Sequence, residues 1–160
     1  MSECVFCDPN EVTESAKLRE SKYFKLILDP FPVNFGHLLI IPDRHVQKVD
    51  ELCNDEMQNL REMIKDAKAT VEKHEEVRQQ YSSILKAGNR KSEDMIKGVI
   101  EEEKAPDGFN IGINEGEEAG QTIEHLHTHV IPRYEGDVEC PEGGIRNVIP
   151  EKADYTGEGE

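Results

Sequence analysis

Two short apolar runs stand near the start of the chain. YFKLILD (residues 23–29) is rich in β-forming residues and is broken by the two prolines of DPFPV, and GHLLIIP (36–42) is bounded by Gly36 and Pro42. Runs of this length with Pro and Gly at their ends read as neighbouring antiparallel strands. The pattern then changes period. In NDEMQNLREMIKDAKATVEKHEEVRQQYSSILKAGN, Met57, Leu60, Ile64, Ala67 and Val71 recur at intervals of three and four, Asn54 or Asp55 offers a cap, and Gly88-Asn89 offers a stop. From residue 74 the stripe thins to Val77, then Tyr81, Ile84 and Leu85, so the second half is expected either to be exposed or to face a partner. Another helix is expected from Ser92 to Lys104, with Met95, Ile96, Val99 and Ile100 on one side and APDG ending it.

Period two returns in FNIGINEG (109–116), where Phe109, Ile111 and Ile113 alternate with Asn110, Gly112 and Asn114. It continues in GQTIEHLHTHVIPR (120–133), where Leu126, Thr128 and Val130 are interleaved with His125, His127 and His129. Alternate residues of a strand share a face, so the three imidazoles would line one side of it. The pattern as a whole predicts an α+β domain: an antiparallel sheet of about five strands with helices packed on it. One domain is expected over residues 1–155, with the acidic TGEGE end, 156–160, disordered.

Composition narrows the class. The chain has 160 residues, 36% hydrophobic and 33% charged, with a formal net charge of −15. That field opposes a nucleic acid polymer, and any anionic substrate must be held by local groups. No apolar run approaches the roughly 20 residues of a membrane span, and the N-terminus lacks signal-peptide regions, so a cytoplasmic location without membrane association is expected. Of the four cysteines only Cys4 and Cys7 are closely spaced. CVFC reads as half of a metal site, as inert thiols or as a redox pair, the last disfavoured because no strand precedes it. Cys53 and Cys140 are expected to be packing residues.

Spacing alone leaves the histidines open between metal binding, catalysis and an incidental stripe, since neutral imidazole suits a ligand, a base or a nucleophile. The preceding AGQT adds small residues, an amide, a hydroxyl and backbone N–H groups, the donors an anionic oxygen needs.

GQTIEHLHTHVIPR resembles the signature of the histidine triad (HIT) superfamily. GHLLIIPDRH, DGFNIGINEGEEAGQT and RYEGDVECPEGGIRNVIPEKADY extend the resemblance to the branch containing the fragile histidine triad protein and microbial diadenosine polyphosphate hydrolases. That resemblance implies nucleotidyl hydrolysis or transfer at an α-phosphate, with His127 as nucleophile, His129 beside the phosphate and Gln121 beside the scissile bridge. It implies nucleotide or phosphate contacts from Asp29 (ribose hydroxyls), His37, Asn114 and Thr122. Arg146, in GGIR, is a candidate for distal phosphates. It further implies a structural zinc on Cys4, Cys7, His45 and His125, a Cys2His2 set suited to tetrahedral zinc, and a homodimer. A polyphosphate substrate could arrive as its magnesium complex. A phosphoramidate hydrolase, a polyphosphate phosphorylase and a nucleotide-binding regulator remain as alternatives. Against the family pattern, about residues 72–95 read as an added helical segment.

Overall fold

The computed structural model describes residues 4–102 and 104–155, so the expectation for the 156–160 tail falls outside the described residues. The expected hairpin is present: β2 (Phe24–Leu28) pairs antiparallel with β3 (Leu38–Pro42), Phe24 opposite Pro42 and Leu28 opposite Leu38. Ahead of it lie two elements that the apolar pattern does not announce, a short helix α1 (Glu11–Ser15) and the edge strand β1 (Lys17–Glu20). Later in the chain β4 (Gly108–Ile113) pairs antiparallel with β5 (Thr128–Arg133), and β5 also pairs with β3. The sheet order is β1-β2-β3-β5-β4, five antiparallel strands as expected.

Three helices separate the sheet's two halves: α2 (Asn54–Val71), α3 (His74–Lys86) and α4 (Arg90–Lys97). Helix α2 is capped at Cys53, one residue before the expected Asn54 or Asp55, and the Glu56 carboxylate accepts the Cys53 N–H at 2.8 Å. It buries Leu60, Ala67 and Val71 of the stripe read in the sequence, with Met63 in the place expected for the partly buried Ile64, while Met57 is exposed. The apolar stripe does not simply run on through one long helix. The chain breaks at Glu72 and Lys73, where Lys73 leaves helical geometry with a ψ of 68°, and α3 restarts at His74. Val77, Tyr81 and Ile84, spaced four and three apart, are buried in the chain's own core, so this half is neither exposed nor reserved for a partner. Helix α4 ends at Lys97 rather than Lys104 and is capped by Asn89, whose Oδ1 accepts the Ser92 N–H at 3.0 Å.

Residues directly opposite in an antiparallel pair share a sheet face. Gly112 lies opposite His129 and Leu39 opposite His129 on the other side, which places His129 on the face away from Val130. Val130 is fully buried, whereas His129 is half-buried and open to a site. Cys53 and Cys140 are exposed, so the expectation that they pack in the core is wrong. Among the described residues, no helix is long and apolar enough to cross a membrane.

Candidate functional site

Strand β5 begins at Thr128, so only His129 of the three histidines belongs to it; His125 and His127 lie on the bend that leads in. Leu126 secures that bend. Its side chain is buried in the core and its N–H donates to the Val46 carbonyl at 2.6 Å. With Leu126 pointing inward, both flanking histidines turn the other way, and the alternation survives without regular strand geometry. His125 and His127 are buried, and the Phe6 ring meets both edge-on, at 5.7 and 5.4 Å between centroids.

His125, His127 and His37 each have one nitrogen committed to a backbone group, which assigns the tautomer. His125 Nε2 donates to the Pro42 carbonyl at 2.8 Å, leaving the Nδ1 lone pair facing the sulfurs of Cys4 and Cys7 at 3.4 and 3.5 Å. His127 Nδ1 donates to the His125 carbonyl at 2.8 Å, leaving its Nε2 lone pair free. His37 Nδ1 accepts the Val33 N–H at 3.3 Å, so its Nε2 carries the proton and donates to His129 Nδ1 at 3.0 Å. The proton of neutral His129 is therefore on Nε2. Rings 127 and 129 stand 5.1 Å apart.

Burial, then the charge of neighbouring His129, lowers the His37 pKa to about 3, and burial, then His127, lowers that of His129 to about 4. Both rings are neutral near pH 7. The 3.5 Å approach of Asp29 Oδ2 to His37 Nε2 is thus a contact between a carboxyl and a neutral ring, not an ion pair. Burial raises Asp29 to about 6, with the Phe31 N–H on Oδ1 at 2.8 Å pulling the other way.

Nδ1 of His45 lies 3.1 Å from Cys7 Sγ, and the candidate ligand atoms of Cys4, Cys7, His45 and His125 all fall within 4.8 Å of one another. Backbone turns position the cysteines: the N–H groups of Cys7 and Asp8 both donate to the Cys4 carbonyl, at 3.0 and 2.9 Å. Loss of hydration, then the adjacent Cys4, pushes the Cys7 thiol up. Two sulfurs and two imidazole nitrogens converge, a donor set that fits a soft divalent ion, and the Lys25 ammonium, held by the Phe6 carbonyl, favours the thiolate form of Cys7.

A cavity of about 890 Å³ opens on the cysteine side of this cluster, lined by Cys4, His45, Gln47, Gln121 and Thr122 among others. The Gln121 amide ties two loops together, accepting the Gly116 N–H at 2.8 Å and donating to the Gln47 carbonyl at 3.1 Å. Asn114 follows the end of β4 and lies near Gly120. Arg146 is engaged elsewhere: its guanidinium donates to the carbonyls of Ala153 and Lys152 and sits over the Tyr155 ring. The structure thus brings together the four candidate metal ligands and, separately, Asp29, His37, His127 and His129, while it holds the Arg146 guanidinium in the C-terminal turns. Sequence reading passed over Phe6, Val33 and Leu126, which orient the imidazoles; only Leu126 left a trace, as the apolar position between two histidines.

Residues 10–136 match the family model described as HIT domain. The chain belongs to the HIT domain family. An uncharacterised HIT-like protein of Methanocaldococcus jannaschii is 35% identical over 147 residues, 91% of each chain. An AP-4-A phosphorylase of Mycobacterium tuberculosis is 31% identical over 125 residues, covering 78% of this chain but 49% of that protein. This chain therefore spans about half the length of that enzyme. Among solved structures, a hypothetical histidine triad nucleotide-binding protein of Sulfolobus tokodaii is 26% identical with a TM-score of 0.57, covering 83% of this chain and 70% of that one. The five-stranded sheet with helices is the HIT architecture, and the HIT family includes nucleotide hydrolases and transferases.

Proposed function

We propose that this HIT protein cleaves a nucleotide conjugate, such as a dinucleoside polyphosphate, at its α-phosphate through a covalent nucleotidyl–His127 intermediate. The observation that carries the reading is the His127 Nδ1–H donated to the His125 carbonyl, because it leaves Nε2 as the nitrogen whose lone pair can attack. Attack by Nε2 forms a P–N bond and expels the leaving-group oxygen. The His125 carbonyl stabilises the positive charge that the ring then acquires. His129, with its proton on Nε2, supplies a hydrogen bond to a phosphate oxygen or to the departing oxygen. Water, or inorganic phosphate in the phosphorylase variant, then attacks phosphorus, the P–N bond breaks, and the nucleotide leaves with the imidazole regenerated.

Asp29 binds the ribose hydroxyls in this reading. Asn114 and Thr122 contact phosphate, Gln121 lies at the scissile bridge, and Arg146 meets distal phosphates once released from its carbonyl partners. Magnesium on the polyphosphate offsets repulsion from the acidic chain. Cys4, Cys7, His45 and His125 would hold a zinc ion, which would serve a structural purpose, joining the N-terminal turn to the loop after β3 and the histidine bend. The protein works as a cytoplasmic homodimer.

Single-turnover labelling with a dinucleoside polyphosphate carrying labelled α-phosphate tests the central step. Acid-labile nucleotide on the wild-type chain and none on His127→Ala is the expected result. No label, or label that persists in His127→Ala, sinks the mechanism. Product analysis with and without phosphate separates hydrolysis from phosphorolysis, a choice that the Mycobacterium tuberculosis relative makes worth testing.

A further inference from the structure

The loop from Asp29 to His37 carries two groups of the site, and α3 and α4 hold it at both ends. Just after Asp29, the Pro30 carbonyl accepts the hydroxyl of Ser92 from α4; just before His37, the Gly36 N–H donates to the hydroxyl of Tyr81 from α3 at 2.9 Å. Both contacts are buried, with Tyr81 0% and Ser92 1% exposed. Within the loop the Asp29 N–H donates to the His37 carbonyl at 2.8 Å, and the Val33 N–H meets His37 Nδ1. The helices are themselves moored. Arg78 of α3 donates to the carbonyls of Ile100 and Glu102, and Gln80 donates to Ser15.

We propose that Tyr81 and Ser92 are positioning residues, through which α3 and α4 fix the 29–37 loop so that Val33 selects the His37 tautomer and His37 in turn orients His129. A loop released at either end is free to move the Val33 N–H off Nδ1, and the His37 proton then exchanges between two nitrogens. His129 Nδ1 loses its fixed donor, and the proton on its Nε2 is no longer assigned. The helical segment around residues 72–95 acquires a role by this route: it sets the geometry of the histidines from behind, without touching substrate. A buried hydroxyl is costly unless partnered, and Tyr81 and Ser92 direct theirs to backbone groups flanking the two site residues rather than to their own helices.

The effect on turnover rests on the proposed nucleotidyl transfer; the effect on the tautomer does not. Tyr81→Phe removes only the oxygen that accepts from Gly36, and Ser92→Ala only the donor to Pro30. Nitrogen NMR of 15N-histidine-labelled protein is expected to show wild-type His37 with its proton on Nε2, and a tautomer mixture in each variant. With a dinucleoside polyphosphate, kcat is expected to fall about 10- to 100-fold, the scale on which a misplacement of about 1 Å acts, while KM changes by less than about twofold because no substrate contact is lost. Ser92→Thr, which restores the hydroxyl, should recover both readouts. If Tyr81→Phe does not fold, Ser92→Ala decides. Unmoved His37 nitrogens in a folded variant overturn the proposal, whether kcat is unchanged or falls merely in step with thermal stability. Because the spectra need no substrate, a chain that never takes nucleotide label defeats the functional reading while the His37 nitrogens still decide this one.

Discussion

His37 Nε2 and His129 Nδ1 lie 3.0 Å apart, one nitrogen donating and the other accepting. The direction is set from outside the pair, by the Val33 N–H on the far nitrogen of His37. His37 is only 3% exposed and has no opening to act on substrate itself, so its contribution passes through His129. His37→Ala is therefore expected to leave the His127 nucleophile intact and to slow the formation of labelled intermediate by about 10- to 100-fold, an orientation loss rather than the loss of a reacting group. Rapid-quench measurement of label uptake checks this. Abolition equal to that in His127→Ala would show that His37 is itself part of the reacting machinery.

Acid should weaken the fold, and the sign follows from the direction of each shift. His37 and His129 have ordinary values of 6.5 and fall to about 3 and about 4 on folding, so between pH 6.5 and 4 the unfolded chain takes up protons that the native one refuses. Their stabilisation is full above pH 6.5 and is lost as pH falls through that window. Asp29 opposes them. Raised from 3.8 to about 6, it binds its proton in the native state first and adds stability as pH falls from 6 to 3.8. Two groups outweigh one, and the melting temperature is expected to drop steadily from pH 6.5 to 4.5. Asp29→Asn removes the opposing contribution and should steepen the drop. A melting temperature that is flat or rising over this range contradicts the assignment of neutral, buried rings.

How much of this was legible in the sequence follows from what each pattern encodes. Strands β2 and β3 announce themselves because apolar runs bounded by Gly36, Pro30 and Pro42 have few alternatives, and β4 because Phe109, Ile111 and Ile113 keep a period of two. KLRE of β1 is a half-buried edge strand with no apolar face, so there was no pattern to find. The break at Glu72 carries neither Gly nor Pro, and the burial of α3 is visible only after Val77, Tyr81 and Ile84 are set apart from the stripe of α2. The four candidate ligands of the family resemblance lie close together, with CVFC held by N–H groups on the Cys4 carbonyl and the histidine bend by Leu126 on the carbonyl of Val46, next to His45. The tautomers were not legible. They depend on the carbonyls of Pro42 and His125 and on the Val33 N–H, backbone groups whose direction side-chain pattern does not record.

Removal of metal should be felt at the nucleophile. Phe6 sits in the Cys4–Cys7 turn and packs edge-on against both His125 and His127, so the N-terminal turn and the His127 ring share one contact. Metal analysis of purified protein is expected to find zinc in the wild type and markedly less in Cys4→Ser; unchanged content would exclude this site. Chelation is expected to lower the melting temperature, since ion binding to the folded site alone stabilises it. It should also slow label uptake at His127 without abolishing it.

Gly36 stands where a side chain is excluded twice over. Its φ of +77° lies in the left-handed region, and a Cβ there would come within 2.7 Å of Val71 Cγ1 and 3.2 Å of Cγ2. Val71 is fully buried and β-branched in the last turn of α2, so it has little rotamer freedom with which to retreat. Gly36→Ala is expected to cost about 2–4 kcal/mol in denaturant unfolding, combining backbone strain with overpacking. Val71→Ala destabilises by itself through the cavity it leaves, but it also removes both clashing methyl groups. The double variant should therefore be more stable than the two losses added together, with a coupling of about 0.5–3 kcal/mol between contacting residues. Strict additivity would mean that the left-handed backbone alone, and not the approach of Val71, demands glycine before His37.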